Sequence, residues 1–170
     1  GKAITLTDLL DEVPIDSARF FFNLREPGSQ MEFDLDLAVQ EDSSNPVYYV
    51  QYAHARICSL LKKLAEEGVE FGGVDKCDLS LLTDPAEREL IRHIGNFAAE
   101  IVSAAKSYDP ARITRYVIDL ATLYHKFYNA CRVKDTQSDL CQARMALCLA
   151  VKNVLCSVLG MFKINIPESM

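Results

Sequence analysis

Apolar residues recur along much of this chain at steps of three and four, the spacing that lines up one face of a helix. Ile113, Val117, Leu120, Tyr124, Phe127 and Cys131 follow one another at steps of 4, 3, 4, 3 and 4. Val50, His54, Ile57, Leu61 and Leu64 do the same, with one polar member. Start signals agree with this pattern. Asn45-Pro46, Asp84-Pro85 and Asp109-Pro110 each set a capping side chain before a proline, at a position where no amide donor is lost. Glu87, three residues after Asp84, adds a capping-box partner. The spacing predicts helices over 46–66 with a stop at Gly68, over 85–107 ending before Tyr108, and over 110–133. A fourth helix begins near Ser138 or Asp139 and ends at Gly160 or shortly after. It is apolar on more than one side, with Leu147, Val151, Val154 and Val158 set against Cys148, Leu155 and Leu159, which suits a helix buried by several neighbours. Long helices with short connections predict an all-α, antiparallel bundle.

The first 44 residues read differently. Ala3 to Leu6 fits a short strand, Thr7-Asp8 a cap for a short helix through Val13, and Pro14 a restart carrying Phe20, Phe21 and Phe22. Phe33, Leu35 and Leu37 alternate with Asp34 and Asp36 as in a half-buried strand, although Leu37-Ala38-Val39 equally begins a helix. Residues 68–83, with Gly68, Gly72 and Gly73, read as a loop. The expected division is therefore 1–44 as a junction segment and 45–170 as the helical domain.

Charge sharpens that division. The 170 residues carry a net charge of −6, but residues 1–44 hold 3 basic and 10 acidic side chains, whereas 45–170 hold 15 and 14. Within 110–163 there are 8 basic residues against Asp119, Asp135 and Asp139. Screening acts within about 8–10 Å, so local charge decides what binds, and the second half can meet a polyanion although the chain is acidic. A hydrophobic content of 49% is that of a soluble globular protein. No apolar run reaches the roughly 18–20 residues of a membrane span. The opening Gly1-Lys2, without Met, reads as the interior of a longer protein. Six cysteines at spacings of 19, 54, 10, 7 and 8 match no zinc pattern and read as buried, reduced thiols of a cytoplasmic protein.

Candidate chemistry lies on two helix edges. Tyr49, Tyr52, Arg56, Ser59 and Lys63 run beside the apolar stripe of the first long helix; Ala121, His125, Tyr128 and Arg132 adjoin that of the third. Unpaired RNA bases require such an alternation of rings and cations. Rings stack on bases at about 1–3 kcal/mol each, and cations meet phosphates or base edges. The plainer reading is that these tyrosines flank a core with wet hydroxyls while the cations snorkel. Nucleotide-loop, zinc-hydrolase and serine-nucleophile motifs are missing, and His54, His93 and His125 fall on three different helices, which argues against an enzyme.

The run Asn45-Pro46-Val47-Tyr48-Tyr49-Val50-Gln51-Tyr52-Ala53-His54-Ala55-Arg56 resembles the helix signature of arginyl-tRNA synthetases, especially bacterial ones. Three further stretches agree in order and spacing. Lys2 to Val13 resembles the segment after the signature loop of the catalytic domain. Asp16-Ser17-Ala18-Arg19 sits where the family has its D-A-L-R-like tetrapeptide, and Pro167-Glu168-Ser169-Met170 resembles its P-E-R-M ending. Ser17-Ala18 departs from the literal tetrapeptide, and Ser169 stands where Arg is usual, which would cost one phosphate or carboxylate contact. His93-Ile94-Gly95-Asn96 imitates the HIGH signature of class I synthetases but falls in mid-helix without the second His, and reads as accidental.

The resemblance implies an antiparallel helix bundle of the class I aminoacyl-tRNA synthetase anticodon-binding type, preceded by a short junction segment. It implies arginine tRNA as partner, held by its anticodon stem-loop, beside the catalytic domain of the same chain. It implies no membrane, a monomer, and a cytoplasmic arginine–tRNA ligase. ATP and Mg would serve that catalytic domain; no cofactor and no metal are expected in these residues. The positions matching the family's aromatic contacts are Tyr49 and Tyr52, and those matching the pocket for the middle anticodon base are Tyr128, Arg132 and the terminal Met170. Arg132 replaces a Trp of a relative. With Arg56 and His125 from the same edges, these are the expected tRNA-binding residues, supported by backbone attraction from Arg112, Arg115 and Lys126. His54 is expected to be a hydrogen-bonded core histidine, and Arg19 to pair with a carboxylate in the junction. The rival reading is a helical scaffold without RNA, using the acidic face of 1–44.

Overall fold

The computed structural model describes residues 5–134, 136 and 138–170; part of the strand expected at Ala3 to Leu6 lies outside them. Every regular element among the described residues is helical. Three short helices, α1 (Leu6–Glu12), α2 (Ile15–Leu24) and α3 (Leu35–Ala38), precede five longer ones. These are α4 (Pro46–Glu66), α5 (Pro85–Gly95), α6 (Phe97–Ser107), α7 (Ala111–Ala130) and α8 (Ser138–Met161). Thr5, not Thr7, caps α1 through a box with Asp8, so Leu6 is helical. Asp34 likewise accepts from the Leu37 amide and turns the expected strand into α3. Two 3-10 turns, Val74–Lys76 and Leu79–Leu81, interrupt the loop after α4. That helix stops where Gly68, at φ 79, lets the Val69 amide reach back to the Leu64 carbonyl (2.9 Å).

The helix expected over 85–107 is two helices. The His93 carbonyl accepts from the Asn96 amide (3.1 Å) and from the Tyr116 hydroxyl of α7 (2.8 Å), which tightens the turn at Gly95-Asn96. Helix α7 is also shorter than expected. Cys131 leaves it in an extended conformation, and Arg132 lies beyond the helical face on which its spacing had placed it. Arg144, near the start of α8, holds the Arg132 carbonyl at 2.6 Å, which shows α7 and α8 running antiparallel.

The main core joins Val50, Ile57 and Leu64 of α4 to Val117, Leu120, Tyr124 and Phe127 of α7 and to Cys148, Val151, Leu155 and Leu159 of α8. By length and composition α8 would suffice to cross a membrane, contrary to the sequence expectation. Half of its apolar window is buried in the bundle, as befits a core helix. All six cysteines are unpaired, and burial pushes the Cys148 thiol up to about 12. Helix α2 is integral to the bundle: its Phe20 is fully buried in the main core, and Thr114 of α7 donates to the Asn23 carbonyl (2.7 Å). The opposite face of α2 gives Ala18 and Phe21 to a small second core with Val13 and Ala38.

Candidate nucleic-acid interface

Helices α4 and α7 pack through their apolar stripes, so the residues bordering those stripes meet at the seam between them. Arg56 stands at its centre. Its guanidinium carbon lies 5.2 Å from the Tyr52 ring centroid and 4.3 Å from that of Tyr128, within cation–π range of both. The same guanidinium meets Nδ1 of His125 at 3.1 Å. Arginine has only donors, so Nδ1 accepts and the imidazole proton sits on Nε2. Burial, with the Arg56 charge next, lowers the His125 pKa to about 4, so the ring stays neutral at physiological pH. Tyr49 leans on His125 at 4.8 Å between ring centroids, and Tyr52 stacks on it at 5.6 Å.

Three depressions follow this seam. One of about 350 Å³ is bordered by Tyr48, Tyr49, Tyr52, Arg56 and His125, with Glu41 and Asp42 on its rim. The next, about 470 Å³, shares Tyr52 and Arg56 and adds Lys63, Tyr128, Lys134 and Met170. The third, about 200 Å³, continues past Tyr128 to Arg132 and Val133. Shared walls make them one groove. All seven expected residues, Tyr49, Tyr52, Arg56, His125, Tyr128, Arg132 and Met170, border it. Their access differs. Tyr52 is 37% exposed and Met170 50%, whereas His125 is 9% exposed and meets a ligand chiefly through Arg56.

The other three expected cations do not reach the groove. At about 100° per residue, Arg112, Arg115 and Lys126 point around the far side of α7 from Tyr128. Carboxylates there occupy them: Glu100 on Arg112 (2.9 Å), Glu26 and Asp109 on Arg115 (3.4 Å each), and Glu89 on Lys126 (2.6 Å). The cations beside the rings are Arg56, Lys63, Arg132 and Lys134. Lys63 belonged to the α4 edge, but Lys134 follows the helix end and no periodicity reveals it. His54 is a core histidine, 2% exposed, with Nδ1 2.8 Å from the Pro167 carbonyl. Arg19 finds the Lys163 carbonyl instead of a carboxylate. His93 stacks on Tyr116 at 4.1 Å between centroids, a packing role.

Fold and groove together define a helix-bundle binding domain whose aromatic and cationic side chains share one surface seam. The profile of the DALR anticodon binding domain matches residues 50–170. The chain belongs to that family. Over all 170 residues it is 54% identical to an arginine–tRNA ligase of Caldanaerobacter subterraneus subsp. tengcongensis and 49% identical to one of Acetivibrio thermocellus. It spans 30% of the length of each. The Thermus thermophilus arginyl-tRNA synthetase structure superposes on 91% of this chain with a TM-score of 0.78 at 30% identity, over 26% of its own length.

Proposed function

We propose that the groove receives the anticodon stem-loop of arginine tRNA, and that the chain is the tRNA-gripping part of an arginine–tRNA ligase. The observation that carries this reading is the stack of Tyr52, Arg56 and Tyr128, an accessible series of ring, guanidinium and ring. Splayed loop bases present flat faces to such a series, and Lys63, Arg132 and Lys134 lie beside it to meet phosphates. Met170 supplies an apolar wall at one side. Residues 1–44 serve as the junction to the catalytic domain, which carries out ATP- and Mg-dependent arginine attachment in a cytoplasmic, monomeric protein. These residues alone hold and orient the tRNA and do not activate arginine.

A gel-shift comparison of arginine tRNA with an anticodon-substituted copy, run across a salt series, tests the reading. Binding should be weaker for the altered anticodon and should fall steeply with salt as counterions return to the phosphates. The rival scaffold reading draws on exposed Leu6, Ile15, Phe22 and Val39 in the acidic segment. It requires a protein partner whose binding changes little with salt, and equal indifference to both tRNAs would favour it.

A further inference from the structure

The chain ends in an extended strap after α8, and four side chains from two helices grip its backbone. On α2, Asp16 accepts the Asn165 amide at 3.2 Å on both carboxylate oxygens, and Arg19 donates to the Lys163 carbonyl. On α4, Gln51 donates to the Asn165 carbonyl (3.0 Å) and to Asp16 (3.2 Å), and His54 donates from Nδ1 to the Pro167 carbonyl (2.8 Å). Each helix uses positions three apart, one turn of a single face. The strap is gripped at Lys163, Asn165 and Pro167, while Ile164 is buried and Ile166 packs on the core. That two-residue alternation belongs to extended chain. The strap is thus fixed in register as well as in place, because a slip of one residue would turn both isoleucines outward. Three residues beyond the last grip, Met170 lines the groove with Tyr52, Arg56 and Tyr128.

We infer that Asp16, Arg19, Gln51 and His54 are positioning residues for the RNA groove: they hold the strap that sets Met170 against it. The inference rests on the RNA reading above. None of the four lines the groove, and each acts through the strap backbone. Asp16 and Arg19 belong to the acidic first 44 residues, so the junction segment is tied to the groove through the far end of the chain. Loosening α2 would therefore loosen one wall of the groove, and a ligand that settles Met170 would tighten the strap against α2.

Asp16→Ala and a chain lacking residues 168–170 test this singly and together. Binding of an arginine anticodon stem-loop should fall roughly five- to tenfold in each, and the combination should lose no more than the larger single loss, because both remove the same wall. Additive losses, or unchanged binding by Asp16→Ala, would overturn the positioning role. Amide exchange without RNA reads the grip directly. In Asp16→Ala the Asn165 amide should exchange more than about tenfold faster while α4 and α7 amides stay protected. Unchanged exchange at Asn165 would refute the grip itself. Failure of the unaltered chain to bind the stem-loop, with Asn165 loosened as expected, would instead overturn the RNA reading and the positioning role together, leaving only a structural clamp.

Discussion

Arg56 of α4 lies 4.3 Å from the centre of the Tyr128 ring of α7, and this contact joins the two edges that border the groove. The guanidinium is also the only hydrogen-bond partner of His125 among the described residues. A planar cation is needed here, since it must lie on one ring, approach another and point a donor at a buried imidazole. Lysine keeps the charge but neither the plane nor the fork. Arg56→Lys should therefore weaken stem-loop binding by about 1–2 kcal/mol, roughly five- to thirtyfold, although net charge is unchanged. Fluorescence anisotropy with a labelled stem-loop measures it. Affinity equal to the unaltered chain would show that only charge matters at this position.

Tyr128 borders two of the three depressions, so its ring is the partition around which a bound loop must fold. Tyr128→Ala should cost about 1–3 kcal/mol of binding, the value of one stacking platform, while Tyr128→Phe should keep most of the affinity. Filter binding distinguishes the two variants. Loss in both would assign the contribution to the hydroxyl and not to the ring face.

Much of this arrangement is legible in the sequence, for physical reasons that differ between elements. Helices α4, α7 and α8 declare themselves because caps and apolar periodicity are local signals, and Tyr49, Tyr52 and Tyr128 follow as neighbours of those stripes. The break at Asn96 does not declare itself, because the Tyr116 hydroxyl, twenty residues away, occupies the His93 carbonyl. Arg132 leaves its helical position for a similar reason, since Arg144 of the next helix holds its carbonyl. The pairing of Arg112, Arg115 and Lys126 is equally tertiary; a net positive count cannot tell a free cation from an occupied one. Least visible is the strap, because backbone carbonyls and amides carry no sequence signature. Asp16, Arg19 and His54 look like ordinary polar residues until the end of the chain is laid beside them.

Glu87, legible only as a cap partner of Asp84, has a second task. It is 1% exposed, accepts the Asp84 amide on one oxygen (2.8 Å) and receives Arg144 on the other (2.6 Å). Arg144 then reaches the Arg132 carbonyl, so the start of α5, the start of α8 and the end of α7 are locked together beside the groove. Removing one partner of a buried pair strands the other charge, which costs about 3–5 kcal/mol. Glu87→Ala should lower the urea midpoint accordingly. Arg144→Met together with Glu87→Leu should recover part of the loss, because an apolar pair strands no charge. A double variant less stable than either single one would contradict this account.

His125 makes the fold acid-sensitive in a definable window. An unfolded chain takes up the imidazole proton near the ordinary histidine value of 6.5, whereas the folded ring, buried against Arg56, takes it up only near 4. Between those values the unfolded state binds more protons, so stability falls as pH drops from 6.5 to 4 and is undiminished by this group above 6.5. The contribution is on the order of 3 kcal/mol at the acid end. Asp8, Asp42, Asp78 and Glu89, each lowered first by a side-chain hydrogen bond, also favour the folded state less as acid is added. A comparison with His125→Asn isolates the imidazole, because the asparagine oxygen can still accept from Arg56 and does not titrate. Denaturant melts at pH 7, 6, 5 and 4 should show the gap between the two proteins narrowing or reversing as pH falls. Parallel curves over that range would mean that His125 is protonated in the folded chain as readily as in the unfolded one, and that Arg56 does not hold it neutral.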